Sequence, residues 1–270
     1  MNTLTYNSPW VKSPRPNPAA RLRLFCFPHA GGGALTYRTW PEALPAEVEV
    51  RPIHLPGRES RIGEPAFDNL SALVDALVPE LLPLLDRPFA FFGHSMGAMI
   101  GFEVVRRLRA KRLAGPRQMF VSGRRAAQLP AKDERRTFDL PKDEFVEELG
   151  RLNGTPREVL EHPELLELIL PILRADFSVC QTYAYVPGEP LDIPITVLGG
   201  SEDSDVSRAG LEAWREQTSG AFKLHMLPGD HFFINSARAR VCQLVAGELN
   251  DLLRRTFYRV PPAHFRAAAA

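Results

Sequence analysis

Phe89-Ala90-Phe91-Phe92-Gly93-His94-Ser95-Met96-Gly97-Ala98-Met99 is the stretch on which the reading of this chain turns. It starts as an apolar run of strand length, breaks at Gly93 and continues as an apolar pattern with helical spacing. The centre is G-x-S-x-G between a strand and a helix, the context that a nucleophile elbow requires. Side chains two positions before and after the serine would collide with the neighbouring elements in so sharp a turn, so glycine stands at both. The turn lifts Ser95 Oγ to the top of a sheet. It also puts the serine at a helix N-terminus, where backbone N–H groups favour developing negative charge.

Outward from this stretch, strands and helices alternate. Arg21–Phe27, Val48–Ile53, Arg87–Phe92, Met119–Ser122, Ile193–Leu198 and Phe222–Leu227 read as strands. Asn69–Leu85 has apolar residues at helical spacing, with Pro79 and Pro83 expected to kink or split it. Met96–Leu108 and Ser236–Arg254 read as further helices. Alternation of this kind predicts an α/β fold with a mostly parallel sheet flanked by helices. Between Gln128 and Pro190 the strand pattern stops, and Lys142–Leu149, Pro156–Leu160 and Pro163–Tyr185 read as helical pieces. Such an interruption predicts an inserted helical lid above the carboxyl ends of the strands, where open α/β sheets bind ligands. The expected division is a loose N-terminal tail over 1–20, a core over 21–127 and 191–256, and a lid over 128–190. The Ala-rich C-terminal end is expected to fray.

The totals bound the alternatives. The 270 residues are 44% hydrophobic and 24% charged, ordinary for a globular protein with ample core. No apolar run reaches the roughly 18 residues of a membrane span, and Met1 to Arg21 lacks the apolar stretch of a secretory signal. A net charge of +1 argues against nucleic acid as a bulk partner. Cys26, Cys180 and Cys242 are too scattered for a disulfide framework or a metal site, and as thiols they fit a cytoplasmic protein. There is no metal-ligand spacing and no phosphate loop, so neither a metal nor a cofactor is expected. A monomer is expected, since no coiled-coil or edge-pairing segment stands out.

Three polar residues follow strand ends in the order serine, acid, histidine: Ser95, Asp203 and His231. That is the chain order of α/β-hydrolases. His231 is the candidate base for Ser95, and Asp203 the candidate orienter of the imidazole. Asp203 lies nearer its strand end than Asp205, which is the alternative acid. Asp230 adjoins His231 too closely in sequence to orient it. His94 reads as a packing residue, and His54, His162 and His225 have no motif around them. His29-Ala30-Gly31-Gly32-Gly33 follows the first strand at once. There the backbone N–H of Ala30, with that of Met96, is the candidate oxyanion donor pair. His29 is a candidate to shape the pocket.

Seven motifs together resemble one family, the stand-alone type II thioesterases that accompany polyketide synthases and nonribosomal peptide synthetases. They are Phe27-Pro28-His29-Ala30-Gly31-Gly32, Leu55-Pro56-Gly57-Arg58, Gly93-His94-Ser95-Met96-Gly97, Ser122-Gly123-Arg124-Arg125, Leu173-Arg174-Ala175-Asp176-Phe177, Leu198-Gly199-Gly200 and Gly229-Asp230-His231-Phe232-Phe233. The resemblance covers about Arg21 to Leu253. It implies an α/β-hydrolase fold and hydrolysis of wrong or stalled acyl groups from the phosphopantetheine arm of an acyl carrier protein or peptidyl carrier protein. Ser95, Asp203, His231, Ala30 and Met96 fall on the family's triad and oxyanion positions. One departure is local: the family acid often precedes proline, whereas Ser204 follows Asp203, which keeps Asp205 open. Phe177, Val179, Tyr183 and Tyr185 are candidates to line a tunnel for the arm. Arg124, Arg125, Arg135 and Arg136 are candidates for a basic patch facing an acidic carrier protein. A general serine esterase, a product-releasing thioesterase domain and a non-catalytic carrier-binding module are the competing readings. Met1 and the tail, with no carrier-protein segment before the core, favour a free-standing protein.

Overall fold

The computed structural model describes residues 8–130, 136–152 and 154–258. Six strands form one sheet: β1 (Leu22–Phe27), β2 (Val48–Pro52), β3 (Phe89–His94), β4 (Met119–Ser122), β5 (Ile195–Gly200) and β6 (Phe222–Leu227). The order is β2-β1-β3-β4-β5-β6, and every neighbouring pair is parallel. This is the α/β sheet that the alternation predicts. The strand order reverses between β1 and β3, so the loops leaving those two strands part company there and open a crevice.

Alternation within the strands separates two cores. Phe25, Phe27, Phe89, Phe91, Met119, Val121, Ile195 and Val197 point to one face. They pack against α2 (Leu70–Leu81) and α3 (Met96–Ala110), which follow α1 (Trp40–Ala43) in the chain. Leu22, Leu24, Cys26, Val50, Ala90, Phe92 and Phe120 point the other way, onto Trp40 of α1 and onto Val241, Val245 and Leu249 of the C-terminal helix. Strands buried on both faces explain why the sequence shows continuous apolar runs rather than polar alternation.

The lid is helical. α4 (Lys142–Leu152), α5 (Arg157–Leu160) and α6 (Pro163–Gln181) have a small core of their own, in which Phe145, Leu149, Leu166, Leu170 and Leu173 are buried together. The remaining helices are α7 (Arg208–Glu212), α8 (Phe233–Ser236) and α9 (Arg238–Phe257).

The structure corrects some expectations. Residues 8–20 are not a loose tail. Trp10 and Val11 are buried, Val11 bridges Ile53, and the Lys12 N–H donates to the Pro52 carbonyl. The Arg61 guanidinium covers the Trp10 ring at 4.5 Å. The segment therefore protects the open edge of β2, where unpaired backbone groups would otherwise face water. Pro79 stays inside α2, and the helix tightens into a 3-10 turn over Leu82–Leu84 at Pro83. The last lid helix ends at Gln181 rather than Tyr185. β5 starts at Ile195, after Pro194, which has no N–H to give to a ladder. The Ala-rich end and Arg135 lie outside the described residues.

Candidate active site

β3 ends at His94 and α3 begins at Met96, so Ser95 alone makes the turn. Its φ of 52° and ψ of −115° are strained for a residue with a side chain, as a nucleophile elbow demands. The two flanking glycines have steric causes. A Cβ on Gly93 would meet the Gly97 carbonyl oxygen at 2.3 Å, and a Cβ on Gly97 would meet that of Phe27 at 2.1 Å. The helix start is thus pressed against both strands of the crevice. The Ser95 N–H donates to the Ser122 carbonyl at 2.8 Å, tying the elbow to β4.

Asp203 follows β5 and His231 follows β6, both at the same end of the sheet as Ser95. Nε2 of His231 lies 3.0 Å from Ser95 Oγ, and its Nδ1 lies 2.8 Å from Asp203 Oδ2. The chain separations are 136 and 28 residues, so only the fold brings the three together. Asp203 Oδ1 accepts the N–H groups of Asp205 and Val206 at 2.9 and 3.0 Å. Burial alone would raise the Asp203 carboxyl. The hydrogen bond and charge of His231, with those two N–H groups, outweigh burial and hold it below the usual carboxylate range. Asp205 faces Arg151 of the lid at 3.7 Å instead.

Two further histidines stand beside the triad. His94 is fully buried, hydrogen-bonded through Nδ1 to Ser122 Oγ at 2.9 Å, and 5.4 Å from the His231 ring. Burial, then the charges of His231 and His29, push its imidazole well below the ordinary value. His29 is pushed down to about 4 by burial, then by His231 and Arg58. Both rings are therefore neutral at pH 7, and neither competes with His231 for the serine proton.

Of the oxyanion candidates, Ala30 lines the same cavity as Ser95, and Met96 follows Ser95 as the first residue of α3. Among the described residues, the N–H groups of Ala30 and Met96 donate to no other backbone or side-chain atom. The next two N–H groups of the glycine loop are engaged: Gly31 donates to Asp176 at 2.7 Å and Gly32 to the His29 carbonyl at 2.9 Å.

A cavity of about 580 Å³ lies between sheet and lid. Ala30, Ser95 and His231 line it from the sheet side, and Leu149, Leu152 and Phe177 from the lid. Phe177 thus borders the space above Ser95. Four other expectations are corrected. Val179 is buried in the core. Tyr183 and Tyr185 line a neighbouring cavity of about 430 Å³, because the chain leaves the lid after Gln181 and runs along α3; the Tyr183 hydroxyl donates to Glu103 there. His29 supports the site from behind, its ring 5.4 Å from Phe232, and does not line the serine cavity. Arg124 and Arg125 are half-buried and line both cavities rather than forming an outer patch; Arg136 is exposed.

With a serine on a strained elbow, an imidazole at 3.0 Å and a buried carboxylate behind it, the site is built for acyl transfer. The pattern of the Thioesterase domain matches residues 22–249. This chain belongs to the thioesterase family. It is 45% identical over 253 residues to the gramicidin S biosynthesis protein GrsT of Aneurinibacillus migulanus, covering 94% of this chain and 98% of that one. Among solved structures, RedJ, a thioesterase of the prodiginine pathway in Streptomyces coelicolor, superposes with a TM-score of 0.80 at 38% identity, covering 85% of this chain and 91% of RedJ. BorB, a type II thioesterase from the borrelidin cluster, gives 0.82 at 34%, covering 91% and 99%. The thioesterase is thus a hydrolase of thioesters in an α/β-hydrolase fold, in keeping with the sheet order and the position of Ser95.

Arg58 and Asp176 belong to two of the motifs, and nothing local in the sequence assigns either a task. The signal was present for Asp176. Leu170, Leu173, Asp176 and Val179 follow at intervals of three, and all four are buried, so one carboxylate stands in an apolar stripe. Its partner lies 118 residues away, which no local pattern reveals.

Proposed function

We propose that this thioesterase clears wrong or stalled acyl groups from the phosphopantetheine arm of acyl or peptidyl carrier proteins in a polyketide or nonribosomal peptide assembly line. The contact of His231 Nε2 with Ser95 Oγ at 3.0 Å, inside a lid-covered cavity, carries the chemistry. The similarity to GrsT and BorB over nearly their whole lengths supports the setting.

In this mechanism Ser95 Oγ attacks the thioester carbonyl while His231 takes the hydroxyl proton. Asp203 fixes the imidazole with its proton on Nδ1 and stabilises the imidazolium. The N–H groups of Ala30 and Met96 receive the developing oxyanion, each such donor being worth about 3–4 kcal/mol. The C–S bond then breaks, and the proton on His231 goes to the departing sulfur. A water molecule enters, gives its proton to His231 and attacks the acyl-serine. Collapse returns the proton to Ser95 Oγ and releases the acid. These steps need only a nucleophile, a base, oxyanion donors and water. A cavity of about 580 Å³ has room for an acyl group and the end of a slender arm and none for a folded domain, which suits a substrate presented on a flexible tether.

The test is intact mass of a short-chain acyl carrier protein incubated with wild type and with Ser95→Ala, a free acyl ester alongside. Loss of the acyl mass with wild type only is the expected result. Cleavage of the free ester with the carrier-bound group untouched would replace this reading by that of a general esterase. No cleavage of either, with Ser95 unlabelled by a fluorophosphonate, would leave a non-catalytic binding module.

A further inference from the structure

One lid carboxylate reaches into the oxyanion loop. Asp176, on α6, is 2% exposed, and Arg58, in the loop after β2, is 5% exposed. Arg58 Nη2 donates to Asp176 Oδ1 at 2.8 Å and Arg58 Nη1 to Oδ2 at 2.8 Å. The same Oδ2 accepts the Gly31 N–H at 2.7 Å, and the same Nη1 donates to the Gly32 carbonyl at 2.9 Å. The pair therefore grips a donor and an acceptor on adjacent residues of the glycine loop. Leu173, one turn earlier on α6, packs over Gly31 so closely that a Cβ there would meet its Cδ2 at 2.7 Å.

The grip has a directional consequence. A run of three glycines has little conformational preference of its own, so the direction of each N–H must be imposed from outside. Asp176 draws the Gly31 N–H toward the lid helix, and the His29 carbonyl takes the Gly32 N–H. The Ala30 N–H remains for the cavity that holds Ser95. Gly31 is exposed as a residue, so without a carboxylate at 176 its N–H would turn to water and nothing would hold the loop peptides in one orientation.

We propose that Arg58 and Asp176 are positioning residues that fix the Ala30 N–H toward the oxyanion, so that one ion pair registers lid helix α6 to the catalytic loop. The proposal rests on the serine-hydrolase reading of the site. It distinguishes two kinds of ligand. Binding of a ground-state substrate needs the cavity walls and little from Ala30. Binding of an oxyanion needs the aligned N–H. A pair that only held the lid down would weaken both alike.

The test compares wild type with Asp176→Asn and with the double variant Arg58→Met/Asp176→Leu. The double variant leaves no unpaired buried charge and keeps the volume filled, so it is expected to fold. Three readouts are taken: kcat and KM on a short acyl thioester of N-acetylcysteamine, affinity for a trifluoromethyl ketone that Ser95 converts to a hemiketal oxyanion, and affinity for a thioether that cannot react. Loss of one oxyanion donor typically costs about 10²–10³ in kcat, so misalignment of one is expected to cost roughly tenfold to a hundredfold. The expected pattern is a fall of that size in kcat and in ketone affinity, with KM and thioether affinity within about threefold of wild type and melting cooperative. For Asp176→Asn, which keeps one acceptor but loses the two-pronged pair, a smaller loss of the same pattern is expected. It decides the matter alone if the double variant does not fold. Unchanged kcat and ketone affinity in a folded variant would overturn the proposal, as would equal losses for ketone and thioether. The rate of fluorophosphonate labelling of Ser95 is measured in parallel. It compares the variants even if the thioester is not turned over by wild type, in which case the functional reading fails and the positioning proposal is still judged.

Discussion

Asp203 and Asp205 stand two residues apart, yet their carboxylates serve different partners. Asp203 meets His231 Nδ1 at 2.8 Å and accepts the Asp205 N–H through its other oxygen, while Asp205 faces Arg151 at 3.7 Å. The acid left open by the sequence is thereby distinguished by geometry. Asp203→Asn is expected to lower kcat by roughly 10³–10⁴-fold, because an amide no longer holds the imidazole with its proton on Nδ1. Asp205→Asn keeps the N–H that Asp203 accepts and is expected to stay within about threefold of wild type. Steady-state kinetics on one acyl thioester checks both.

The elbow glycines make a sharper structural claim. Gly93→Ala and Gly97→Ala each drive a methyl group into backbone, at 2.3 and 2.1 Å, where nothing can swing aside. A loss of roughly 3 kcal/mol or more is expected for each, at or beyond the upper end of ordinary overpacking. Gly101→Ala, one turn further along α3, meets side chains alone, the Phe27 ring at 3.4 Å and the Met119 methyl at 3.8 Å. It removes a helix-interior glycine and is expected to leave the stability level or raise it by about 0.5 kcal/mol. Urea titration of the three variants separates the cases.

The fold was legible because its strands are short apolar runs that end in marked turns. Met119–Ser122 and Phe222–Leu227 are strands with the bounds read from sequence. The grouping of Ser95, Asp203 and His231 was legible from chain order and strand ends. Three things were not. The Trp10–Val11 segment sits among Pro, Ser and Asn, and its burial depends on an open sheet edge that local composition does not disclose. The two tyrosines look like a continuation of the lid helix, but where that helix ends decides which cavity they face. The Arg58–Asp176 pair joins two motifs across 118 residues, and long-range ion pairs leave no periodicity to read.

Cavity lining makes a prediction about chain length. Phe177 borders the space that holds Ser95, whereas Tyr183 borders the neighbouring one. Phe177→Trp is expected to cut kcat/KM for an eight-carbon acyl thioester by tenfold or more while leaving the acetyl thioester within about threefold. Each buried methylene that is denied its contact costs about 0.8 kcal/mol, so exclusion of two or three is enough. Tyr183→Phe is expected to change neither substrate by more than about twofold. A chain-length series on the three proteins checks this.

His29 ties stability to pH. In the fold its imidazole titrates at about 4 rather than near its ordinary 6.5, because it is buried and then because His231 and Arg58 add positive charge nearby. Between these two values the unfolded chain holds a proton that the folded chain lacks. Stability therefore rises with pH through that window, is fully present above about 6.5, and is lost progressively as pH falls toward 4. From pH 7.5 to 4.5 this one residue accounts for a loss of about 2–3 kcal/mol, at 1.36 kcal/mol per pKa unit. His94, depressed in the same direction, adds to the loss. His29→Phe keeps an aromatic ring against Phe232 and has nothing to protonate, so its unfolding free energy is expected to fall by about 2–3 kcal/mol less than that of wild type over the same range. Urea unfolding at the two pH values, for both proteins, provides the comparison; equal losses would mean that His29 is already protonated in the fold or that its ring leaves the pocket in acid.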